Sequence, residues 1–242
     1  TGMVVSDWGG SNNIAASAAA GASLEMPAAG LASVREIMQA VESGELSEKD
    51  VTERAQEVLD LIGRTQPSGQ RKDGFLTDRQ IAEHHRIARE IAEKSIVLLK
   101  NEPGKDGAPV LPIRKGARLA VIGDMAQTAR YQGSGSSKVN AARVDNLLDE
   151  LSKRDGITVS GYAQGYDRQG ASHPGLAAEA AVLAHREDVD ELVVCMGLDE
   201  RSESEGLDRS TMQIPRAQVS MLEELKKAGK PIIIVLVSGS SV

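Results

Sequence analysis

Aromatic side chains are nearly missing from this 242-residue chain: one Trp, one Phe and three Tyr, 2% of the residues. So sparse a set argues against a broad stacking surface for polymers and leaves Trp8 as an aromatic to be explained individually. Cysteine is reduced to Cys195, so no disulfide can form within the chain and the compartment stays open. Its place in the apolar run Leu192-Val193-Val194-Cys195-Met196 predicts a small buried hydrophobe. No apolar run is long enough to span a membrane. No secretory leader is visible, which says little, because a core strand so near the first residue reads as the middle of a domain. Net charge is −7 without a basic cluster, so neither nucleic acid nor a membrane surface is an expected partner.

What is present is ordinary for a globular chain, 40% apolar and 26% charged, with length for one large or two modest domains. Met3 to Val5 reads as a buried strand, Asn13 to Ala20 as a short alanine-rich helix, and Ser23 to Met26 as a second strand ended by Pro27. Two amphipathic helices follow, about Ser33 to Glu42 and Ser47 to Ile62. The second opens on a capping-box pattern with Asp50 in place of Glu, and Gly63 is its expected C-terminal cap. Residues 64–77 are polar and rich in Pro and Gly, the best domain boundary in the chain. Beyond them a helix is expected over Asp78 to Lys100, with Ile87, Ile91, Val97 and Leu98 as its apolar stripe. Helix and strand then alternate, with strands near 118–122, 157–161, 191–196 and 231–237 and helices near 144–154, 176–186 and 218–228. Continuously apolar strands separated by helices predict a mostly parallel sheet covered on both faces.

Two acidic segments could carry chemistry. In Met3-Val4-Val5-Ser6-Asp7-Trp8-Gly9-Gly10 a carboxylate stands at the end of a strand beside an aromatic, where a (β/α) barrel places its reacting groups. The bland alternative makes Asp7 the N-cap of the following helix. The second segment, residues 199–209, follows the strand ending at Met196-Gly197 and holds Asp199, Glu200, Glu203, Glu205 and Asp208. A solvated acidic loop would look the same. Two details favour more: Gly206 permits a tight turn, and Arg209 could fix the loop through Asp208 or another acid. Two carboxylates from separate loops suit glycosidic bond cleavage, one attacking the anomeric carbon while the other, its pKa raised, protonates the leaving oxygen. They would come from different domains and so meet in an interdomain cleft.

Gly133-Ser134-Gly135-Ser136-Ser137 lacks the Lys-Ser/Thr ending of a phosphate loop and reads better as a close-approach loop at that cleft. His84, His85 and His173 have no second ligand at metal spacing and are expected at the surface, so no metal is expected.

The order of blocks resembles glycoside hydrolase family 3. Val4-Val5-Ser6-Asp7-Trp8-Gly9 and Ala20-Gly21-Ala22-Ser23-Leu24-Glu25-Met26-Pro27 are similar to the end of that family's barrel. Ser95-Ile96-Val97-Leu98-Leu99-Lys100-Asn101-Glu102 and Leu111-Pro112-Ile113 resemble the entry to its α/β sandwich. Val121-Ile122-Gly123-Asp124, Gln132 to Ser137, Glu203 to Arg209 and Ile214-Pro215 resemble later blocks in the family's order. The resemblance spans essentially the whole chain.

It implies an α/β fold in which residues 1–63 are the last two βα units of a (β/α)8 barrel, 64–77 a linker and 78–242 an incomplete sandwich domain. It implies a retaining β-glycosidase without cofactor, acting on small oligosaccharides or aryl β-glycosides. A β-glucosidase is expected, with a β-xylosidase or a catalytically silent carbohydrate-binding relative as alternatives. Asp7 matches the nucleophile. Glu205, in Glu205-Gly206-Leu207-Asp208-Arg209, matches the acid/base, with Glu203 as the alternate. Trp8 resembles the aromatic flanking the leaving-group subsite; packing at the barrel rim is its other possible role. The residues with which the family grips the sugar cannot be mapped on this chain, which reads as a piece of such an enzyme and is expected to be inactive alone.

Overall fold

The computed structural model describes residues 2–65, 76–104, 107–171 and 173–242. The chain divides into two compact units, Thr1–Phe75 and Leu76–Val242. The expected linker falls mostly on residues 66–75, outside the described residues. Among the described residues no helix is long and apolar enough to cross a membrane.

In the first unit β1 (Val4–Val5) pairs in parallel with β2 (Ala22–Leu24), with α1 (Ile14–Ala19) between them. Helices α2 (Leu31–Ser43) and α3 (Glu48–Thr65) complete it. Its core is small, built on Ala15, Ala18, Ala40 and Leu46. Polar ties add to it: Arg54 forks onto Glu57, whose carboxylate also accepts the Ser23 hydroxyl at 2.5 Å.

Three expectations need correction here. Val4 and Val5 are 54% and 47% exposed rather than buried, because β1 has a single partner strand among the described residues. Gly63 does not end α3, which runs on to Thr65, where the Thr65 hydroxyl bonds the Leu61 carbonyl at 2.9 Å. At the other end only half of the capping box forms. The Ser47 hydroxyl takes the Asp50 N–H at 3.1 Å, and the shorter Asp side chain bonds that hydroxyl instead of reaching the backbone.

The second unit opens with α4 (Asp78–Ser95), started by a full capping box between Thr77 and Gln80. Against expectation the helix stops at Ser95. The β-branched Ile96 turns extended (φ −73°, ψ 127°), so Ile96 to Leu99 leave the helix and are exposed. His85 on α4 is not a free surface histidine either. It lies 2.8 Å from Asp145 and its side chain is mostly covered.

Four parallel strands follow: β3 (Arg118–Ile122), β4 (Thr158–Ala163), β5 (Glu191–Gly197) and β6 (Ile232–Val237), in the order β4-β3-β5-β6. Alternate residues face opposite layers, as the strand period requires. Ala120, Ile122, Leu192, Val194 and Met196 pack beneath α7 (Pro174–Ala184) and α8 (Arg216–Leu225) through Ala180, Leu183, Met221 and Leu225. Leu119, Val121, Val193 and Cys195 face the other way, toward α5 (Asp124–Gln127) and α6 (Leu147–Ser152). The result is the helix-covered parallel sheet expected from the continuous apolar runs. Fully burying one such aliphatic side chain contributes about 1.5–3 kcal/mol, so this core outweighs the alanine-based core of the first unit. Cys195 is buried, which pushes its thiol up to about 11 and leaves it a packing residue.

Two glycines let the strands approach at their carboxyl ends. A Cβ on Gly123 (φ +119°) would lie 1.9 Å from the Cys195 carbonyl oxygen, and one on Gly197 (φ +153°) 1.9 Å from that of Val237. In both cases the obstacle is backbone of the neighbouring strand, which cannot swing aside. Gly123→Ala is therefore expected to destabilise the second unit by about 3 kcal/mol or more. Urea unfolding followed by circular dichroism checks this; an unchanged midpoint would contradict it.

Candidate functional site

The strand order itself marks a place. After β3 the chain adds β4 on one side and β5 on the other, so the sheet's switch point lies between β3 and β5. In open α/β sheets ligands bind outside the carboxyl ends at such a point. The loops leaving β3 and β5 are joined there by a parallel bridge between Ser134 and Ser204.

Glu205 sits at this junction. Its N–H donates to the Ser134 carbonyl at 2.9 Å, and its carboxylate accepts the Ser136 N–H at 2.6 Å. A Cβ on Gly135 (φ +118°) would fall 2.5 Å from the Glu205 Cβ, so glycine is what allows this approach. The Ser136 N–H that a phosphate loop would offer an anion is thus spent on the protein's own carboxylate. The loop is in turn pinned by Gln132, whose side chain bonds both the N–H and the carbonyl of Val139 at 3.0 Å. Gly206 (φ +75°) provides the left-handed turn beyond. Glu205 is exposed, and the Ser136 hydroxyl and N–H hold its carboxyl below the usual glutamate range. That direction is the reverse of the raised pKa expected of a general acid. The cause is plain: the two Ser136 donors outweigh the opposing effect of desolvation.

Glu203, two residues earlier, lives differently. Its side chain is only 10% exposed and pairs with Arg130, itself 7% exposed. It also accepts the Gly239 N–H at 2.9 and 3.1 Å and the Ser240 hydroxyl. Burial pushes this carboxyl up, but the Ser240, Gly239 and Arg130 donors outweigh burial and hold it below its ordinary value. Glu203 is consumed by internal partners; Glu205 faces solvent.

Other residues at the carboxyl ends build the loops. Arg168, after β4, bonds Asp124 at 2.5 Å and Glu200 at 3.0 Å, tying together the segments that follow β3, β4 and β5. Asp199, buried, accepts the Ser202 N–H at 2.8 Å and its hydroxyl at 2.5 Å, folding the start of the acidic loop. Arg209 does not fix the loop through an acid. It bonds the Ser240 hydroxyl at 2.9 Å and the Ser241 carbonyl at 2.6 Å, while Asp208 points into solvent. Arg130 and Arg168, which do hold the loop's acids, escaped sequence reasoning because each lies in an unremarkable polar stretch far from its partner. Among the described residues no group of three or more His, Cys, Asp or Glu is arranged to hold a metal.

In the first unit Asp7 follows β1 at its carboxyl end. Its side chain accepts the N–H of Trp8 at 2.7 Å, and its carbonyl accepts the Gly10 N–H at 2.9 Å. The turn is held to the segment just after β2 by Ser6, whose side chain takes the Met26 N–H at 2.8 Å, and by the Gly9 N–H to the Met26 carbonyl at 2.8 Å. Asp7 is not a helix cap. That job belongs to Asn13, whose side chain accepts the Ala16 N–H at 2.7 Å. Asp7 is exposed and Trp8 is 70% exposed, so within this unit neither is a core packing residue. Asp7 and Trp8 thus share one turn, and Glu203 and Glu205 one loop, in separate units.

Comparison with known proteins fits this arrangement. Residues 96–242 match the glycosyl hydrolase family 3 C-terminal domain. The whole chain is 37% identical over 244 residues to thermostable beta-glucosidase B of Acetivibrio thermocellus, covering 31% of that protein. An exo-alpha-(1->6)-L-arabinopyranosidase of Bifidobacterium breve is 35% identical over 245 residues, with 99% of this chain and 31% of that protein aligned. Among solved structures, the GH3 beta-glucosidase of Bifidobacterium adolescentis superposes with a TM-score of 0.82 at 34% identity, over 100% of this chain and 34% of the other. The chain therefore spans about a third of the length of the relatives it matches. With its parallel sheet, its joined carboxyl-end loops and a family match over most of its length, the chain belongs to glycosyl hydrolase family 3.

Proposed function

We propose that the complete gene product is a retaining β-glycosidase, with β-glucosidase as its main activity on small oligosaccharides or aryl β-glycosides. Asp7 attacks the anomeric carbon and forms a glycosyl ester. Glu205 protonates the departing oxygen and then, as a carboxylate, takes a proton from the water that hydrolyses the ester. Trp8 offers its exposed indole face to the leaving group. In this reading residues 1–63 are the closing βα units of a (β/α) barrel, 64–77 a linker and 78–242 the sandwich domain. The observation that carries the reading is the contrast between the two glutamates: Glu203 is buried in partners, whereas Glu205 is exposed at the switch point of the sheet.

The lowered pKa of Glu205 suits the second half of the cycle as the site stands. Acting as an acid requires a shift up. A sugar that excludes water, or a nearby anion, supplies one.

Glu205→Gly in the complete gene product is the test. Glucosides with poor leaving groups should lose about 10²–10⁴-fold in kcat/KM, whereas a dinitrophenyl glucoside, which needs no protonation to form the ester, should lose far less in kcat/KM. Azide should restore turnover and yield glucosyl azide. If Glu203→Gly shows this pattern and Glu205→Gly does not, the acid/base lies two residues earlier. The arabinopyranosidase relative favours keeping a second substrate reading, a pentopyranosidase such as a β-xylosidase. A higher kcat/KM on aryl xyloside than on aryl glucoside would establish it.

A further inference from the structure

Resting on the assignment of Glu205 as acid/base, we propose that the Arg130–Glu203 ion pair is the positioning device for that carboxylate, fixing where Glu205 is presented without touching substrate. The pair joins the segments that follow β3, β5 and β6. Arg130 belongs to the loop after β3 and bonds both Glu203 and, at 3.0 Å, the Leu198 carbonyl at the end of β5. Glu203 in turn holds the Gly239 N–H and the Ser240 hydroxyl just beyond β6. Glu205 is two residues from Glu203, and Ser134 and Ser136, its backbone partners, are four and six residues from Arg130. The contact thus lies close in sequence to both sides of the Glu205 cradle and links them.

The pair is an odd choice for stability alone. Two charges held largely out of solvent are costly to desolvate, and replacing a buried pair with apolar groups is often neutral or stabilising. The Nε of Arg130 is moreover buried without a hydrogen-bond partner. An ion pair of this kind has one clear advantage over an apolar contact: its geometry is directional, and so are the loops that depend on it.

The experiment uses the complete gene product. Glu203→Gln keeps the shape but removes the charge. Arg130→Met combined with Glu203→Gln removes both charges, so that a single variant failing to fold does not stop the test. Misplacing Glu205 should lower kcat/KM for glucosides with poor leaving groups by about 10-fold or more. The kcat/KM on dinitrophenyl glucoside should change less than about 3-fold, because ester formation there needs no acid, whereas its kcat and KM should fall together, because Glu205 is also the base for hydrolysis of the ester. Azide should rescue weakly, since Glu205 still occupies its place. Amide exchange at Ser136 should speed up in both variants, a readout independent of turnover. Equal losses on all leaving groups would reduce the pair to a structural role and overturn the proposal, as would unchanged Ser136 exchange. If Glu205→Gly itself lacks the leaving-group and azide signature, the acid/base assignment has failed. If Glu205→Gly shows it but these variants do not, the positioning role alone has failed.

Discussion

Asp7→Asn in the complete gene product is expected to lower kcat/KM by about 10⁴-fold or more, some 5.4 kcal/mol at roughly 1.36 kcal/mol per decade. The amide cannot form the glycosyl ester on which the proposed double displacement depends. Structure should survive the change. The Trp8 N–H is accepted by one oxygen of the side chain, and the amide oxygen of Asn can accept it equally. The turn is held mainly by Ser6, Gly9 and Gly10 to Met26 and the Asp7 backbone, none of which the substitution touches. Thermal unfolding should therefore be nearly unchanged while turnover disappears. A 2-deoxy-2-fluoro glucoside, which forms the ester but hydrolyses it slowly, should label a peptide containing Asp7. Label on Glu205 or Glu203, with Asp7→Asn still active, would overturn the assignment.

The sheet was legible in the sequence because its strands are buried on both faces. Runs such as Leu119 to Ile122 and Leu192 to Met196 carry their own signal, since every position must be apolar whichever layer it meets. Helix ends were less legible, for local reasons. Gly63 looks like a cap, but a glycine ends a helix only where the chain needs a left-handed turn, and Gly63 has no positive φ. The Ile96 to Leu99 run looks like the last turn of α4 by its spacing, yet consecutive large apolar residues fit a helix and an extended segment equally well. The first strand failed on burial rather than type. Its sequence is that of a core strand, and burial depends on neighbours that no short motif encodes.

At the site, the carboxylates could be read and their environments could not. Asp7, Glu203 and Glu205 all stand in recognisable motifs. Which of the two glutamates is exposed depends on Arg130, which is 73 residues before Glu203, and on Gly239 and Ser240, 36 and 37 residues after it. Arg209 shows the same limit from the other side. Its neighbour Asp208 is the obvious partner in sequence, but the loop turns away and the guanidinium meets Ser240 and Ser241. The Gly135 position was the exception. A glycine among serines suggested close approach, and Glu205 is what approaches.

The largest effect is expected from the 242 residues expressed by themselves: no measurable β-glucosidase activity, although Asp7, Trp8 and Glu205 are all present. Catalysis of this kind rests on holding the sugar so that the anomeric carbon meets the nucleophile, and such orientation supplies about 7–11 kcal/mol of barrier reduction. The chain matches only about a third of the length of its glycosidase relatives. Asp7 stands on a unit whose sheet has two strands among the described residues, with Val4 and Val5 half exposed. Trp8 is open to water. On the proposed reading further groups fix the pyranose ring, and without them the two exposed carboxylates meet an unoriented substrate. The measurement is an aryl-glucoside assay on purified chain, with amide protection across β5 recorded first. Slow exchange at Val193 to Met196 shows that the sheet is folded, so that absent turnover reflects missing sugar contacts rather than unfolding. Turnover that vanishes in the Asp7→Asn version of the same chain would mean that these residues alone can orient a glucoside.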